Sequence, residues 1–496
     1  MAPATLTDLL ERTAAARPDA PALPGMGWAE AAAEVRRLAG GLAARGIGPG
    51  DRVALFLPNR PGLILLLLAL ARRSACAVLL NTRFRAGEIG PLLARAQPRA
   101  IAVARDFAPV DAAAVIGAVP AQARASLRFA IGVDGLDEGE LAALRCTPIG
   151  MLRGAEAPDA SSEDAECLTF TTSGTTAGPK LVLHRQRSIA RHACDVAARI
   201  GTDAPGAAFL AAVPLCGTFG LAAALAALAG GAAILPMERF DAHEADALIR
   251  RHGVTHLVGG DDLLLMLAEA AREPYRPFAF TGFANFHGRA ERVMAESARL
   301  NLAARGVYGS SEAQALFALQ DPRGPHAATG GGIPASGEAA FRVDGDGGLW
   351  LRGPSLFDRY LGDEDAPAAA WDGGWFRSGD IATVQPDGGF AFVTRAGDAL
   401  RLGGFLVAPE EIEAFLTAQP GIRAAQVVAD DGAAIAFVIP GPGFDAEAVL
   451  AACARDLARF KVPRRIVALE AFPTTDGPNG RKIRRAGLRE MARAEG

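Results

Sequence analysis

Apolar and polar positions along the first half of the chain follow two alternating periods, one helical and one extended. Residues 29–45 carry Ala and Leu at helical spacing and end at Gly46, whereas 53–57 is a short apolar run typical of a strand. The longer apolar run 64–72 has the length of a buried helix, and 76–80 again reads as a strand. Strand–helix–strand order with short connections predicts a mostly parallel sheet covered by helices.

The pattern changes twice further along. From about Gly332 short strands and turns prevail, and after Arg395 a compact α+β pattern predicts helices at 409–418 and 445–459. We therefore predict an α/β protein with a large N-terminal domain of layered, mostly parallel sheets and helices over residues 1–396. A small α+β C-terminal domain is expected over residues 397–496.

Composition and charge limit the class of protein. Half of the 496 residues are apolar and 21% are charged, which is ordinary for a globular chain and excludes a disordered one. The formal net charge of −4 gives no indication of a surface for nucleic acid. The six cysteines are scattered singly, without a CxxC pair, as expected of reduced thiols in the cytoplasm.

Neither a leader nor a membrane span is expected. Acidic residues stand in the first 19 positions where a signal peptide has a basic stretch and then an apolar one. The most apolar run, 63–71, is shorter than the about 20 residues that a bilayer span needs. We expect a soluble cytoplasmic protein without a transmembrane segment.

The segment TTSGTTAGPK, residues 171–180, has the composition of a phosphate-binding loop. Glycines let backbone N–H groups approach an anion, hydroxyls add donors, and Lys180 adds a positive charge. The spacing is not that of a Walker A motif, because proline precedes the lysine and leucine follows it. A Ser/Thr/Gly-rich surface loop is the alternative that the residues alone leave open.

With its companions in the chain, this loop resembles the phosphate loop of the adenylate-forming enzymes, which include acyl-CoA synthetases, peptide-synthetase adenylation domains and luciferases. The same order of motifs follows: Tyr308-Gly309-Ser310-Ser311-Glu312, WFRSGD ending at Asp380, Arg395 within VTRAGDALRLGGF, and Lys482 in NGRKIRR. The opening segments GIGPGDRVALFLPN and LLNTRFRAGEI also resemble that family, so the similarity spans essentially the whole chain.

The resemblance implies a reaction and its cofactors. A carboxylic acid would attack the α-phosphorus of ATP to give an acyl-adenylate and pyrophosphate, and coenzyme A would then displace AMP to give a thioester. It also implies a distorted β-barrel subdomain in the large domain and a mobile small domain. A carboxylate beside a triphosphate is repelled unless a hard cation bridges them, so Mg²⁺ is the expected partner of Glu312.

The resemblance also assigns residues to the nucleotide. Lys482, Thr176 and Glu312 are expected to be catalytic, with Glu312 holding the metal. The expected ATP- and AMP-binding residues are Thr172, Ser173, Gly174, Thr175, Thr176, Lys180, Gly282, Phe283, Ala284, Tyr308, Gly309, Ser310, Ser311, Asp380 and Arg395.

Each nucleotide residue singled out has a plainer alternative. Glu312 could be a charge at a helix N-terminus, Asp380 could cap a turn, and Arg395 could be solvated at a strand end. Lys482 could belong to a solvated basic tail, and Arg481 is the second candidate for its role.

The acyl and thiol sites depart from the family pattern. The expected acyl pocket comprises Gly217, Phe219, Phe283 and Asn285, with Gly217 where many members have His. Gly403 and Gly404 are expected along the CoA channel, although a Gly-Gly turn needs no ligand, and Gly397 is the expected hinge.

Two other functions stay open at this stage. An adenylation enzyme could pass its acyl group to a separate carrier protein or to an amine, and a nucleotide-binding protein could have lost catalysis. The expected partners are small molecules, namely the acid, ATP and CoA. A homodimer is a base-rate expectation. The expected substrate is a medium-sized acyl or aryl acid.

Overall fold

The structure is a computed structural model that describes residues 3–104, 111–133, 139–172, 180–286, 288–362, 370–396, 398, 400–402, 405–407, 409–457, 461–477 and 480–494. The chain forms two compact units. The larger unit comprises residues 1–341 and 351–376, and the smaller comprises 342–350 and 377–496.

The helices of the described residues are α1 Leu6–Ala16, α2 Trp28–Ala44, α3 Pro61–Arg72, α4 Ala86–Ala96, α5 Ala112–Gly117, α6 Ile149–Leu152, α7 Gln186–Ile200, α8 Thr218–Gly230, α9 Ala242–His252, α10 Asp261–Ala270, α11 Ala290–Leu300, α12 Pro409–Thr417, α13 Ala446–Asp456 and α14 Arg485–Ala494. The strands are β1 Pro21–Leu23, β2 Met26–Gly27, β3 Arg52–Phe56, β4 Cys76–Leu79, β5 Ala100–Ala104, β6 Phe129–Val133, β7 Gly139–Leu141, β8 Leu144–Pro148, β9 Glu166–Thr171, β10 Leu181–Arg185, β11 Ala208–Ala211, β12 Ala233–Pro236, β13 His256–Gly260, β14 Phe280–Ala284, β15 Ala304–Ser310, β16 Gln314–Leu319, β17 Gly331–Pro334, β18 Ala340–Val343, β19 Gly348–Arg352, β20 Arg359–Tyr360, β21 Trp371–Asp372, β22 Trp375–Val384, β23 Phe390–Arg395, β24 Leu400–Leu402, β25 Phe405–Val407, β26 Ile422–Asp430, β27 Ala433–Pro440, β28 Arg465–Ala468, β29 Thr474–Gly477 and β30 Gly480–Ile483.

The first sheet of the larger unit has the strand order β20-β10-β9-β4-β3-β5-β6-β8-β7. Its centre, from β9 to β8, is parallel, and β10, β20 and β7 are antiparallel to their neighbours. Strands buried on both faces read as continuous apolar runs, which is why RVALF and CAVL carry no polar alternation. The carboxyl ends of β3, β4 and β9 therefore lie along one edge.

The second sheet of the larger unit begins with the strands β12-β11-β13-β14-β15, all parallel, and continues through the antiparallel strands β16 and β17. The strand order reverses between β11 and β13, since β12 lies on one side of β11 and all later strands lie on the other. In open α/β sheets, ligands bind outside the carboxyl ends of strands at such a reversal.

Two helices lie inside the main core of the larger unit. Helix α3 is buried from Gly62 to Ala71, as the apolar run 64–72 predicts. Helix α8, TFGLAAALAALAG, is apolar on every side, which is typical of a helix surrounded by protein. No helix of the described residues is long and apolar enough to cross a membrane.

The smaller unit has its own core. Antiparallel strands β26 and β27 carry β28 in parallel on the β27 side, and Ile412 and Leu416 of α12 pack with Val427 beneath them. The terminal helix α14 packs through Leu488 against the sheet residue Phe437. The basic tail therefore includes a helix that packs on the sheet.

The predicted α/β fold, with a large part of layered sheets and a small C-terminal part, is confirmed. The predicted helices at 409–418 and 445–459 correspond to α12 and α13. The β-barrel subdomain, the mobility of the small domain and a division at residue 397 stay predictions.

Candidate active site

The predicted phosphate loop joins two paired strands at the carboxyl edge of the first sheet. Leu181 of β10 pairs with Thr171 of β9, so the two flanks of the loop meet at its base. The Thr172 amide donates to the Lys180 carbonyl oxygen over 3.0 Å, and the Lys180 amide donates to Thr172 Oγ1 over 3.3 Å. The structure thus fixes both ends of the loop.

The tip of that loop is not described. The predicted residues Ser173, Gly174, Thr175 and Thr176 lie outside the described residues.

Asn59 connects the carboxyl edges of the two sheets. It follows β3, and its amide nitrogen donates to the carbonyl oxygens of Ala211 (2.9 Å), the last residue of β11, and of Val213 (2.8 Å). Its amide oxygen accepts from the Leu215 amide over 2.7 Å. All three hydrogen bonds are made by one buried side chain, so this amide sets where the segment 211–215 lies.

The segment 308–312 ends β15 at the carboxyl edge of the second sheet. Tyr308 is buried and pairs with Ala318, and Ser310 Oγ accepts from the Ala313 amide over 3.2 Å. A Cβ atom at Gly309 would come within 2.4 Å of the Ala315 backbone, so this position requires glycine. The predicted nucleotide residues of this segment therefore lie on a strand end that packs closely against β16.

Two buried histidines donate to backbone carbonyl oxygens of this segment and of the turn that follows it. Nε2 of His184 lies 2.7 Å from the Ser311 carbonyl oxygen, and Nε2 of His192 lies 2.7 Å from that of Ala315. A carbonyl oxygen only accepts, so Nε2 carries the proton in both rings. Burial lowers the pKa of each ring to about 4, so both imidazoles are neutral donors near pH 7.

The turn after Glu312 has an unusual backbone. Gln314 and Leu316 have φ angles of 62° and 65°, in the left-handed region that costs non-glycine residues free energy. The side-chain nitrogen Nε2 of Gln314 donates to the carbonyl oxygens of Ser188 and Ser355. The backbone amide of Ala315 donates to Thr218 Oγ1. These contacts hold the strained turn in place.

Tyr360 brings two predicted site residues together. The Lys180 ammonium lies 4.5 Å from the centroid of the Tyr360 ring, and the Tyr360 hydroxyl donates to Glu312 Oε1 over 2.9 Å. Strand β20 places the ring here because Tyr360 pairs with Val182 of β10. The loop lysine and the predicted metal carboxylate thus share one aromatic neighbour.

Strand β14 carries the predicted adenine residues. Gly282 and Ala284 lie on one face of the sheet, and Phe283, which is 1% exposed, lies on the other. Phe283 packs there among the helix residues Leu264 and Val293. Phe283 therefore contacts the layer of α10 and α11, and its place in the acyl pocket stays a prediction.

The loop after β14 is exposed at Asn285 and is held by a buried carboxylate. Asp261, fully buried at the start of α10, accepts hydrogen bonds from the amides of Phe286 (3.3 Å) and Arg289 (3.2 Å). Asp261 is therefore a support for the predicted acyl residue Asn285.

The predicted acyl residues after β11 lie at the start of α8. Gly217 is the buried N-cap of this helix, and the Phe219 side chain is buried in the main core. Cys216, beside them, is also buried, and burial raises the pKa of its thiol to about 11.

The remaining described residues of the prediction lie in the smaller unit. Asp380 on β22 pairs in register with Arg395 on β23, and Arg395 Nε lies 3.1 Å from Asp380 Oδ1. Asp380 is 3% exposed, whereas the Arg395 side chain is 63% exposed. The carboxylate is thus held at the end of a hairpin by an arginine that solvent and ligands can reach.

Lys482 lies on β30, where it pairs with Thr475. Just beyond it, Arg485 is clamped against α12, with Nη2 lying 3.0 Å from Glu413 and 3.5 Å from Glu410. Burial raises the pKa of Glu413 to about 7, although Arg485 and the Val427 amide oppose the shift. The backbone that carries Lys482 is therefore anchored on its C-terminal side.

The other predicted residues of the smaller unit are not described. The hinge Gly397 and the channel residues Gly403 and Gly404 lie outside the described residues.

A cavity of about 600 Å³ lies at the other end of β9, away from the phosphate loop. Its lining arginines all take part in ion pairs: Arg52 pairs with Glu166 at 2.9 Å, Arg185 pairs with the neighbouring Asp358 at 2.7 Å, and Arg359 pairs with both carboxylates. None of the predicted nucleotide residues that the structure describes lines this cavity.

Comparison with known proteins places these features in a family. The family model described as "AMP-binding enzyme" matches residues 10–361, and the model described as "AMP-binding enzyme C-terminal domain" matches residues 411–477. Together they cover both predicted parts of the chain.

Related proteins and structures agree with that match. A 3-[(3aS,4S,7aS)-7a-methyl-1,5-dioxo-octahydro-1H-inden-4-yl]propanoyl:CoA ligase of Mycobacterium tuberculosis is 32% identical over 91% of this chain and 91% of its own length. A 2-succinylbenzoate–CoA ligase of Listeria innocua is 26% identical over 92% of each chain. ATP-bound MatB of Rhodopseudomonas palustris has the same fold, with a TM-score of 0.82, 23% identity, and 98% of this chain and 99% of that chain covered.

The motifs at Lys180, Glu312 and Asp380, the two-part fold and these matches lead to one conclusion. The chain belongs to the AMP-binding enzyme family, and it is an acid–thiol ligase of the adenylate-forming class.

Proposed function

We propose that the protein binds ATP with the residues assigned above and joins a ring-bearing carboxylic acid of medium size to coenzyme A. The acid's carboxylate oxygen attacks the α-phosphorus, and the bond to pyrophosphate breaks. The sulfur of CoA then attacks the acyl carbon, AMP leaves, and the thiol proton passes to solvent. The observation that carries this proposal is the arrangement of Lys180 and Glu312 about Tyr360, beside the closed base of the phosphate loop.

The chain's residues have separate roles in the first step. We assign Lys180 to the β- and γ-phosphates, Tyr308 and the β14 residues to adenine, and Asp380 with Arg395 to the ribose. Lys482 would offset the charge that develops when one anion attacks another, an electrostatic term of the kind that dominates such reactions. Thr176, at the tip of the loop, would add a hydroxyl donor to the same phosphates.

Mg²⁺ fits this site. Mg²⁺ is commonly bound by one or two carboxylates together with substrate phosphates and waters. Glu312, half-buried and oriented by the Tyr360 hydroxyl, offers such a carboxylate, whereas the described residues contain no group of three ligands that could hold a metal by themselves. When bound, the ion would neutralise triphosphate charge and orient the α-phosphate.

The proposed acid class rests on the start of α8. Gly217 has no side chain, and the next three turns of α8 are built almost entirely of alanine, leucine and glycine. An acyl site beside such an apolar helix would suit an apolar ring better than a short polar acid. The relative with 32% identity acts on a bicyclic propanoyl group, which also favours this class.

Further features of the proposal follow from the sequence. We propose that Gly403 and Gly404 line the CoA channel, that the division falls at residue 397, and that Gly397 is the hinge. Six cysteine thiols, five of them buried, fit a reducing compartment, and we propose the cytoplasm. A homodimer stays a prediction.

Pyrophosphate release from a panel of acids, with and without CoA, tests the proposal. We expect release with aryl and cycloalkyl propanoates, and a thioester only when CoA is present. Pyrophosphate release that consumes an added carrier protein or amine instead of CoA would favour the adenylation alternative. ATP binding without release from any acid would favour a nucleotide-binding protein that lacks catalysis.

A further inference from the structure

Tyr360 occupies a position between two opposite charges of the site. One contact is made by the face of its ring, with the Lys180 ammonium 4.5 Å from the centroid. The other is made by its hydroxyl, which donates to Glu312 Oε1 over 2.9 Å. The electron-rich ring face attracts a cation, and the polarised O–H attracts an anion, so one side chain satisfies both without neutralising either.

The position of Tyr360 is itself fixed. Its backbone pairs with Val182, and its ring packs against Phe357 with centroids 4.9 Å apart. Asp358, two residues before Tyr360, accepts two hydrogen bonds from Arg185, at 2.7 and 3.1 Å. The ring therefore lies on a rigid strand end and can define where its two charged neighbours lie.

We propose that Tyr360 is a positioning residue that holds Lys180 and Glu312 ready for the triphosphate and its divalent cation, respectively. The hydroxyl orients the Glu312 carboxylate by engaging one oxygen, and the ring retains the lysine ammonium at the end of the phosphate loop. This inference rests on the proposed function, since it assigns both neighbours to MgATP. The inference assigns different roles to the two parts of Tyr360. The hydroxyl orients the carboxylate that would bind the metal, and the ring positions the lysine that would bind the phosphates.

The chain contains a matched control. Tyr275 makes the same two contacts away from the site, with Arg250 at 4.6 Å from its ring centroid and its hydroxyl 2.7 Å from Asp246 Oδ1. Tyr275→Phe and Tyr360→Phe therefore remove the same kind of hydrogen bond. Any effect that follows from losing a phenol–carboxylate contact as such would appear in both variants.

Calorimetry of ATP binding to the full chain, in EDTA and in excess Mg²⁺ without any acid, is the first measurement. For Tyr360→Phe we expect ATP affinity in EDTA within about twofold of wild type, and a gain from Mg²⁺ that is smaller by about tenfold. For Tyr360→Leu, which also removes the ring, we expect affinity in EDTA to fall by about fivefold. Tyr275→Phe should change neither value.

The second measurement is the Mg²⁺ dependence of pyrophosphate release. The Mg²⁺ concentration for half-maximal rate should rise in Tyr360→Phe, with the rate at saturating Mg²⁺ recovering most of the loss. Equal loss of ATP affinity with and without Mg²⁺, or an unchanged Mg²⁺ dependence in a folded Tyr360→Phe, would overturn the inference alone. A folded wild-type chain that binds no ATP would overturn the proposed function and the inference together.

Discussion

His184 Nε2 lies 2.7 Å from the carbonyl oxygen of Ser311, so a buried neutral imidazole orients the residue directly before Glu312. The two residues are 127 positions apart in the chain, and His184 is on β10, the strand that begins after the phosphate loop. The contact therefore connects the loop strand of one sheet to the predicted nucleotide segment of the other.

This contact predicts a pH dependence of stability. Burial lowers the pKa of His184 to about 4, whereas the ring of the unfolded chain titrates near about 6.5. The unfolded state binds more protons between these values, so the free energy of unfolding falls as the pH falls through that window. The slope should be at most about 1.4 kcal/mol per pH unit from this ring, with an equal contribution from His192.

Urea unfolding between pH 7.5 and pH 5 measures that slope. His184→Gln should lower the free energy of unfolding at pH 7.5, because the contact with Ser311 is disturbed. It should also reduce the dependence of that free energy on pH by the contribution of one histidine ring. The exposed His243, substituted in the same way, is the comparison for removing a histidine elsewhere in the chain. A His184→Gln protein that keeps the full slope would contradict the assignment.

Substitution at Asn59 should affect the acid more than ATP. Asn59→Asp keeps the oxygen that accepts from Leu215, but it replaces the amide nitrogen with a second oxygen, which faces the carbonyl oxygens of Ala211 and Val213 and cannot donate to them. We expect a loss of stability of about 1–3 kcal/mol and a KM for the acid raised several-fold. Thermal melting and steady-state kinetics measure both; an equal rise of the KM for ATP would argue against a specific effect on the segment 211–215.

Asp380→Asn should weaken ATP binding. If the carboxylate accepts from the ribose hydroxyls, its loss should cost about 1–3 kcal/mol, which equals roughly 5- to 150-fold in Kd. Asp387→Asn, in a turn of the same unit, is the control and should leave ATP binding unchanged. A lowered melting temperature with unchanged ATP affinity would favour the turn-capping interpretation of Asp380.

Lys482→Ala should separate the two half-reactions. One positioned charge supplies about 3–4 kcal/mol to a charged transition state, so adenylate formation should slow by two to three orders of magnitude. Thioester formation from preformed acyl-adenylate should change little. Arg481→Ala is the comparison, and a larger defect there would transfer the role to Arg481. Equal loss in both half-reactions would make Lys482 a structural residue.

The anchor beyond Lys482 predicts coupling between Glu413 and Arg485. Arg485→Met leaves the buried Glu413 without its cation, and removing one partner of a buried pair costs on the order of 3 kcal/mol. Adding Glu413→Gln should restore part of that loss. Urea unfolding of the two single variants and the double variant measures the coupling energy; strictly additive effects would show that the pair contributes nothing.

Much of the fold follows from local patterns. Parallel strands covered on both faces produce the apolar runs of β3 and β4, and the all-apolar sequence of α3 predicts burial. The motif order also predicts the family. These features can be predicted from the sequence because they depend on the pattern of apolar residues among near neighbours in the chain.

The supporting residues of the site could not be predicted in the same way. Asn59, His184 and Tyr360 each contact a site residue or segment that lies at least 48 positions away in the chain, and no local pattern marks them. Phe283 shows the opposite case, since the alternation along β14 would have placed it on the opposite face from Gly282. Contacts between residues of different sheets can be identified only once the fold is known, whereas the face of a strand on which a residue lies can be predicted from the sequence.

The amide of Asn59 has a consequence for altering substrate choice. It uses both of its hydrogens and its oxygen on one backbone segment, and no other side chain of that length offers the same two donors and one acceptor. Position 59 is therefore poorly suited to laboratory evolution, although it never needs to touch the acid. Gly217 follows the anchored segment and contributes no side chain of its own. If the proposed acyl pocket lies there, a library of substitutions at Gly217 is expected to change the choice of acid while Asn59 still holds the segment 211–215.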